Sequence, residues 1–184
     1  MTSSMDSGNG SDTGTEEGFS IWLMPYGDVR NHLAELISRL AVGSKTPVFE
    51  PHVTLLGSLI APMSEVLSQT SELAKSIHPG VLKLTTVDFL DQFFRSVFIR
   101  VEKTQYIMDA NSRARVIFNR LHDSDYLPHL SLVYGKIPME EKKAMIAEEI
   151  GSDFNIVFEV RSLHLFSTYG EPKDWHRVEE FLLE

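Results

Sequence analysis

The sequence predicts an α+β protein with mostly antiparallel strands and with helices packed outside the sheets. Three observations support this fold class. Segments rich in Val, Ile, Phe and Thr alternate with amphipathic segments from residue 19 onward. In two places one strand-like segment follows another with little between them, as in antiparallel pairs. One short motif also occurs twice, each time after a predicted helix, which is typical of two related lobes.

The first part of the chain predicts strand, helix, strand and helix. Residues 19–24 are rich in strand-forming side chains and stop at a proline. Asp28 is suited to cap a helix that ends at Gly43. The apolar face of that helix consists of Val29, Leu33, Leu36, Ile37 and Leu40. The first copy of the motif supplies the next strand, and a second helix is expected over residues 63–77.

The middle of the chain predicts a hairpin and a third helix. Residues 81–91 and 94–102 are both rich in Val, Thr, Phe and Ile, and a short polar break separates them. Thr104 is the expected cap of the helix that follows. The apolar residues of this helix lie close to one face: Ile107, Ala114, Ile117, Phe118 and Leu121.

The last part predicts a strand, a helix and two further strands. The second copy of the motif supplies the strand. Pro138 stands where the fourth helix begins, because proline is well tolerated in a first helical turn, and Gly151 stands at its end. Residues 154–168 and 175–183 are the expected last two strands.

Length and composition indicate one globular domain over residues 18–184, with 42% apolar residues. Residues 1–17 are mostly Ser, Gly, Thr and acidic residues without the pattern of a targeting signal, and we expect a disordered tail. No apolar run approaches the roughly 18 residues of a membrane span. The chain contains no cysteine, which excludes disulfides and thiolate zinc sites. We expect a cytoplasmic monomer, with the nucleus as the alternative location.

The net charge is −9, from 17 basic and 26 acidic residues. Such a surface repels polyanions, so long RNA or DNA is not an expected partner. A small phosphorylated ligand remains compatible with this charge, because a pocket needs only a few local donors.

The repeated motif is Pro51-His52-Val53-Thr54-Leu55 in its first copy and Pro128-His129-Leu130-Ser131-Leu132 in its second. Successive side chains in a strand point to opposite faces. His52 and Thr54 therefore share one face of their strand, as His129 and Ser131 share one face of theirs. If the two lobes face each other, both pairs meet across a cleft.

Two histidines and two hydroxyls suit the opening of a phosphodiester at neutral pH. One neutral imidazole takes a proton from water while the other, protonated, delivers one to the leaving oxygen. The hydroxyls of Thr54 and Ser131 donate to the nonbridging phosphate oxygens. We expect no metal and no cofactor, because no third ligand stands at a zinc spacing. Ser131 also lacks the Gly-x-Ser-x-Gly elbow of many serine hydrolases. The other histidines are expected to be surface or structural residues: His32, His78, His122, His164 and His176.

Two His-apolar-Thr/Ser-apolar motifs are the hallmark of the 2H phosphoesterases, and the chain resembles their plant and yeast cyclic phosphodiesterase branch. The resemblance runs from residue 19 to residue 183 and is clearest at 19–25, 48–54 and 126–134. It implies a bilobal fold, in which two antiparallel sheets face a central cleft and the helices lie outside. It also implies hydrolysis of ADP-ribose 1″,2″-cyclic phosphate, a by-product of tRNA splicing, and of nucleoside 2′,3′-cyclic phosphates. The products are the 1″- and 2′-phosphates.

The same resemblance suggests that Trp22, Phe94 and Tyr134 contact the base or nucleoside. Strand alternation places Tyr134 opposite His129, so a core role is an equal alternative for that residue. Arg95 replaces a glutamine of plant members. It either reaches a second phosphate or is exposed, and we expect exposure.

The expected mechanism has His129 activating water and His52 protonating the leaving oxygen, although the two roles can be exchanged. Two other functions remain open at this point. One is a 2H phosphodiesterase that processes the ends of oligonucleotides. The other is a nucleotide-binding module without turnover.

Overall fold

The computed structural model describes residues 17–184, so the predicted tail lies outside the described residues except for Glu17. The strands are β1 (Phe19–Leu23), β2 (Val53–Leu59), β3 (Gly80–Phe89), β4 (Val97–Val101), β5 (His129–Val133), β6 (Asp153–Val160), β7 (Ser162–Ser167) and β8 (His176–Leu182). The helices are α1 (Gly27–Ser44), α2 (Met63–Lys75), α3 (Gln105–Ile117) and α4 (Met139–Met145). A π-helical turn over Ile146–Ile150 extends α4.

The strands form two antiparallel groups of four that join edge to edge. Their order is β6-β3-β4-β5-β2-β1-β7-β8. Strands β2 and β5 connect the groups through the pairing of Val53 with Leu130. The predicted α+β class with two antiparallel sheets is therefore confirmed, and the structure adds that the sheets are continuous at the two motif strands.

The predicted strand over 154–168 is wrong in one respect, because it consists of two strands that belong to different groups. Strand β6 pairs with β3 at one end of the order, whereas β7 lies between β1 and β8. Arg161 alone separates β6 from β7. Because one residue spans only about 3.5 Å, the sheet curls until these distant strands nearly meet.

The helices cover the outside of the curled sheet, as predicted. Helix α1 packs on β5, α3 packs on β2 and β3, and α2 packs on β7 and β8. The predicted face of α1 is confirmed by its buried side chains, which are Leu33, Leu36, Ile37 and Leu40. Each such side chain stabilises the fold by roughly 1.5–3 kcal/mol relative to an exposed one.

Several predicted element ends differ from the structure. Helix α1 begins one residue before Asp28 and ends beyond Gly43, where Lys45 adopts the left-handed conformation with φ 56°. Thr104 precedes α3 as expected but makes no side-chain cap hydrogen bond. Helix α3 stops at Ile117, so Leu121 is exposed and does not extend its apolar face.

The predicted hairpin of β3 and β4 is confirmed, but its connection is longer than expected. A 3-10 turn over Phe93–Arg95 lies between the two strands, so Phe94 is not in a strand.

Among the described residues, no helix is long and apolar enough to cross a membrane.

Candidate active site

The two copies of the motif come together where the two sheets join. Strands β2 and β5 are antiparallel neighbours, with Val53 opposite Leu130. Both of these apolar residues are fully buried, so the alternate positions face the other side of the sheet. Continuing the same register sets Thr54 beside His129, and His52 beside Ser131. In that register each histidine lies across from the hydroxyl residue of the other motif.

All seven residues predicted for the site line one cavity of about 1000 Å³. They are His52, Thr54, His129, Ser131, Trp22, Phe94 and Tyr134. The structure therefore brings together residues that are separated by more than a hundred positions in the chain.

Both imidazoles are held in the same way. The Nδ1 atom of His52 lies 2.6 Å from the carbonyl oxygen of Glu50, and that of His129 lies 2.7 Å from the carbonyl oxygen of Leu127. A carbonyl oxygen only accepts hydrogen bonds, so each Nδ1 carries the proton that it donates. Nε2 is then the nitrogen that remains for proton transfer with a substrate or water.

Burial keeps both imidazoles neutral near pH 7 when the cleft holds no anion. It lowers the pKa of His52 to about 3, with a further lowering by repulsion from His129. Burial likewise lowers the pKa of His129 to about 4, and the charges of Arg95 and Arg100 lower it further. The hydrogen bonds to Glu50 and Leu127 oppose these shifts without cancelling them. A bound phosphate raises the pKa of a nearby imidazole, so an anion is the natural partner of this pair.

Trp22 packs against one face of the His52 ring. Its indole is stacked on the imidazole with ring centroids 3.6 Å apart, and its opposite face is stacked on Phe166 at 3.8 Å. The indole N–H donates a 2.7 Å hydrogen bond to the hydroxyl of Ser20, which sequence reasoning did not single out. Since both ring faces are covered and Trp22 is only 2% exposed, a nucleobase can reach only the edge of this side chain.

The two hydroxyl residues differ in their hydrogen bonds. The Ser131 hydroxyl donates to the carbonyl oxygen of Phe94 at 2.9 Å. Among the described residues, the Thr54 hydroxyl has no hydrogen-bond partner, although its backbone carbonyl accepts a hydrogen bond from the hydroxyl of Tyr126 at 2.8 Å. Thr54 is therefore ready to donate to an anion, whereas Ser131 must first release the Phe94 carbonyl.

The predicted orientation of Tyr134 is wrong, because β5 contains a bulge. Val97 of β4 pairs with Val133 and the next residue, Phe98, pairs with Ser131, so one extra residue stands in β5. An extra residue resets the alternation of faces. Tyr134 consequently borders the same cavity as Ser131. It is also only 3% exposed and stacked on Phe49 at 3.7 Å within the core, which agrees with the alternative of a core role.

Two further aromatic side chains form an apolar wall of the cavity. Phe94 and Trp175 are both half-buried, and their ring centroids lie 5.7 Å apart. Trp175 also lies 6.0 Å from the rings of Trp22 and of Tyr134. Sequence reasoning missed Trp175, because a single aromatic residue at the start of the last strand carries no signal of its own. The wall offers flat apolar surface beside the two imidazoles.

Three arginines also line the cavity: Arg95, Arg115 and Arg120. Arg120 bonds the carboxylate of Asp123 at 2.8 Å, and Arg115 donates to the backbone carbonyls of Asp123 and Ser124. These two arginines hold the segment that leads into β5. The expected exposure of Arg95 is wrong, because its side chain is half-buried and lowers the pKa of His129.

The remaining histidines divide into two groups. His164 is buried on β7, 3.1 Å from the hydroxyl of Ser162, and so is structural as predicted. The exposed ones are His32, His78, His122 and His176, of which His122 borders the cavity. Over residues 17–184 no group of three or more His, Asp or Glu side chains is arranged to hold a metal ion.

The chain is also similar to known proteins in sequence. The family described as cyclic phosphodiesterase-like protein matches residues 17–183. A cyclic phosphodiesterase of Arabidopsis thaliana is 27% identical over 125 residues, which cover 68% of this chain and 69% of the relative.

Solved structures share the fold at low sequence identity. TT0787 of Thermus thermophilus has a TM-score of 0.68 at 19% identity, covering 90% of this chain and 97% of that protein. E. coli LigT, solved in complex with 3′-AMP, has a TM-score of 0.61 at 15% identity, covering 90% of this chain and 96% of that protein.

Proposed function

Because this chain belongs to the cyclic phosphodiesterase-like protein family and is a phosphodiesterase, we propose that it hydrolyses small nucleotide cyclic phosphates without a metal ion. The proposed substrates are ADP-ribose 1″,2″-cyclic phosphate and nucleoside 2′,3′-cyclic phosphates. The proposed products are the 1″- and 2′-phosphates. One observation carries this proposal: two imidazoles, each fixed at Nδ1 by a backbone carbonyl, line one cleft.

In the proposed reaction on a nucleoside 2′,3′-cyclic phosphate, a water oxygen attacks phosphorus as the bond from phosphorus to the 3′ oxygen breaks; on ADP-ribose 1″,2″-cyclic phosphate the 2″ oxygen leaves instead. Nε2 of His129 accepts the proton of the water. Nε2 of His52, protonated while the phosphate is bound, donates its proton to the 3′ oxygen. Thr54, and Ser131 once it releases the Phe94 carbonyl, donate to the nonbridging oxygens as their charge grows. Exchange with solvent then restores the starting protonation of both rings.

The shape of the cleft supports a small substrate. Its volume of about 1000 Å³ is at the upper end of the range typical of small-molecule sites. Phe94 and Trp175 supply the apolar wall against which a nucleobase would lie, a role that Trp22 fills only with its edge. The binding of 3′-AMP by LigT, which shares this fold, is consistent with a nucleotide in such a cleft.

Phosphorus NMR of the reaction products tests the proposal. The protein is incubated with 2′,3′-cyclic AMP and, separately, with ADP-ribose 1″,2″-cyclic phosphate, and the phosphomonoester resonances are assigned. We expect 2′-AMP and the 1″-phosphate. Absence of product from both substrates, together with tight binding of AMP, would instead indicate a nucleotide-binding module. Preference for an oligonucleotide with a cyclic phosphate end would indicate RNA end processing.

Variants of the two histidines and a chelator test the mechanism. Replacing His52 or His129 by alanine is expected to lower kcat by at least about a hundredfold, which is the usual contribution of a general acid or base. His32→Ala, at an exposed position of α1, is the matched control and is expected to keep full activity. Activity is expected to survive EDTA, and a loss that added zinc restores would overturn the proposal of a metal-independent reaction.

A further inference from the structure

Arg95 lies at the end of the 3-10 turn between β3 and β4, on the wall of the active-site cavity. Its side chain is half-buried, and this burial lowers the pKa of the guanidinium. An arginine nevertheless remains charged at neutral pH. A partly desolvated cation of this kind is unfavourable unless an anion lies nearby.

The other two arginines of the cavity are already used by the protein. Arg115 donates to two backbone carbonyls, and Arg120 is paired with Asp123. Among residues 17–184, by contrast, the guanidinium of Arg95 has neither a hydrogen bond nor an ion pair. Among the three arginines of the cavity, it is thus the one whose whole guanidinium is unused by the described residues.

The turn that carries Arg95 is fixed on both sides. The N–H of Gly135 donates to the carbonyl oxygen of Phe93 at 2.8 Å, and the Ser131 hydroxyl donates to that of Phe94 at 2.9 Å. The buried ammonium of Lys142 donates to the carbonyl oxygen of Leu90 at 2.7 Å. Arg95 is therefore held next to the second motif by groups that the fold itself positions.

Arg95 also lies within electrostatic range of the proposed base. Its charge is one of two that lower the pKa of His129, the other being that of Arg100. Arg100 forms an ion pair with Asp88 and does not line the cavity. The two arginines thus act on the same imidazole, but only Arg95 is placed to touch a ligand in the cleft.

We propose that Arg95 is a phosphate-binding residue of this site, an inference that rests on the proposed function. Its guanidinium donates hydrogen bonds to the nonbridging oxygens of a phosphate group, with the paired geometry that arginine offers to phosphate. That phosphate is either the one that reacts or a second one on the same substrate. The chemistry is the same in both cases, and the choice of substrate distinguishes them.

The test compares Arg95→Gln with the matched control Arg100→Gln on two substrates. One is 2′,3′-cyclic AMP, which carries only the reacting phosphate. The other is 2′,3′-cyclic AMP with an additional 5′-phosphate. Arg95→Gln is expected to lower kcat/KM by about tenfold to a hundredfold, the usual worth of a hydrogen bond to a charged group. Arg95→Lys is expected to restore part of the loss, because it keeps the charge without the paired donors.

Comparison of the two substrates shows which phosphate group Arg95 contacts. An equal loss on both places Arg95 at the reacting phosphate, whereas a loss confined to the 5′-phosphorylated substrate places it at a second phosphate. Unchanged kinetics of Arg95→Gln on both substrates overturn the inference. An equal loss in Arg100→Gln overturns it as well, because the effect would then be that of charge near His129 and not of a contact.

Binding of 2′-AMP, measured by calorimetry, separates this inference from the proposed function. If the unmodified protein turns over neither substrate, the proposed function fails, but Arg95 is still tested. Weaker binding of 2′-AMP or of adenosine 2′,5′-bisphosphate by Arg95→Gln than by Arg100→Gln supports a phosphate contact, and equal binding of both ligands by the two variants contradicts it.

Discussion

The indole of Trp22 lies flat on the imidazole of His52, with an angle of 8° between the ring planes. His52 directly precedes β2, and Trp22 lies in the adjoining strand β1, where it is paired with Thr54 of β2. The other face of the indole is covered by Phe166 of β7. This stack fixes the plane of the imidazole, and an aromatic face also stabilises a cation placed over it.

Trp22→Leu is therefore expected to lower kcat by about tenfold with a smaller change in KM, because the stack acts on His52 and hardly touches the substrate. Trp22→Phe is expected to recover much of the loss. Trp175→Leu is the matched control, since it removes a tryptophan from the open wall of the same cavity, and it is expected to raise KM instead. Steady-state kinetics of the folded variants decide the matter. A change in KM alone for Trp22→Leu would contradict the positioning role.

The pH dependence of kcat/KM follows from the buried histidines. This parameter reports on the free enzyme, in which burial lowers the pKa of His52 to about 3 and that of His129 to about 4. The proposed reaction requires one protonated and one neutral ring. Above these pKa values the singly protonated form becomes scarcer as the pH rises, so kcat/KM is expected to increase from pH 8 toward pH 5.

The bound state has a different profile. Since a phosphate anion raises the pKa of the imidazole beside it, kcat is expected to stay level to a higher pH than kcat/KM does. Both parameters are measured with 2′,3′-cyclic AMP in buffers of constant ionic strength. A flat kcat/KM between pH 5 and 8 would show that the burial of the rings does not suppress their protonation.

The hydroxyls of Thr54 and Ser131 differ in their hydrogen bonds, so their alanine variants are expected to differ in stability. Thr54→Ala removes a hydroxyl that has no hydrogen bond to a described residue, so it is expected to lower kcat with little effect on stability. Ser131→Ala also leaves the carbonyl of Phe94 without its donor, which is expected to lower the free energy of unfolding by about 1–3 kcal/mol. Urea denaturation and kcat are measured for both variants. Equal stability of the two would indicate that the serine does not support the turn at Phe94.

Two side chains fix the backbone of the first motif. The hydroxyl of Tyr126 donates to the carbonyl of Thr54, and the buried amide of Asn111 donates to that of Leu55, both at 2.8 Å. Asn111→Ala is expected to destabilise the protein by about 1–3 kcal/mol, because it leaves a buried carbonyl unsatisfied. Tyr126→Phe is expected to cost about 1 kcal/mol and to reduce kcat modestly through Thr54. Thermal unfolding and kinetics test both. Unchanged stability of both variants would mean that the motif strand needs neither donor.

The sequence alone allowed the four motif residues to be placed on one side of the sheet. Both signals used, the alternation of side chains along a strand and the repeat of the motif, can be read within a few neighbouring residues. His52 and Thr54 share a face for the same reason that His129 and Ser131 do. The alternation of faces predicted the wrong side for Tyr134, because the bulge in β5 adds one residue. The sequence of the strand contains no signal for that bulge.

Other features of the site depend on contacts between distant parts of the chain. The partner of the Ser131 hydroxyl is a carbonyl 37 positions earlier, and the ring under His52 comes from a different strand. The half-burial of Arg95 results from the 3-10 turn, where the sequence predicted a continuing strand. Such relationships follow from the tertiary fold, and local propensity does not encode them.

Arg161 joins β6 to β7 across the curled sheet, and β7 pairs with β1, a strand more than a hundred residues earlier in the chain. This part of the sheet therefore forms late in synthesis. Strands β1 and β2 emerge during synthesis well before β7, which pairs with β1, and before β8, which pairs with β7. Until β7 has emerged, Trp22 lacks Phe166 on its outer face and one side of β1 is an open edge. The nascent chain thus exposes the free edge of β1, which can pair with a wrong strand, while β3, β4, β5 and β6 can already associate. The proposed active site is completed only when β7 is in place, so a truncation that removes β7 and β8 is expected to abolish activity before it abolishes all structure.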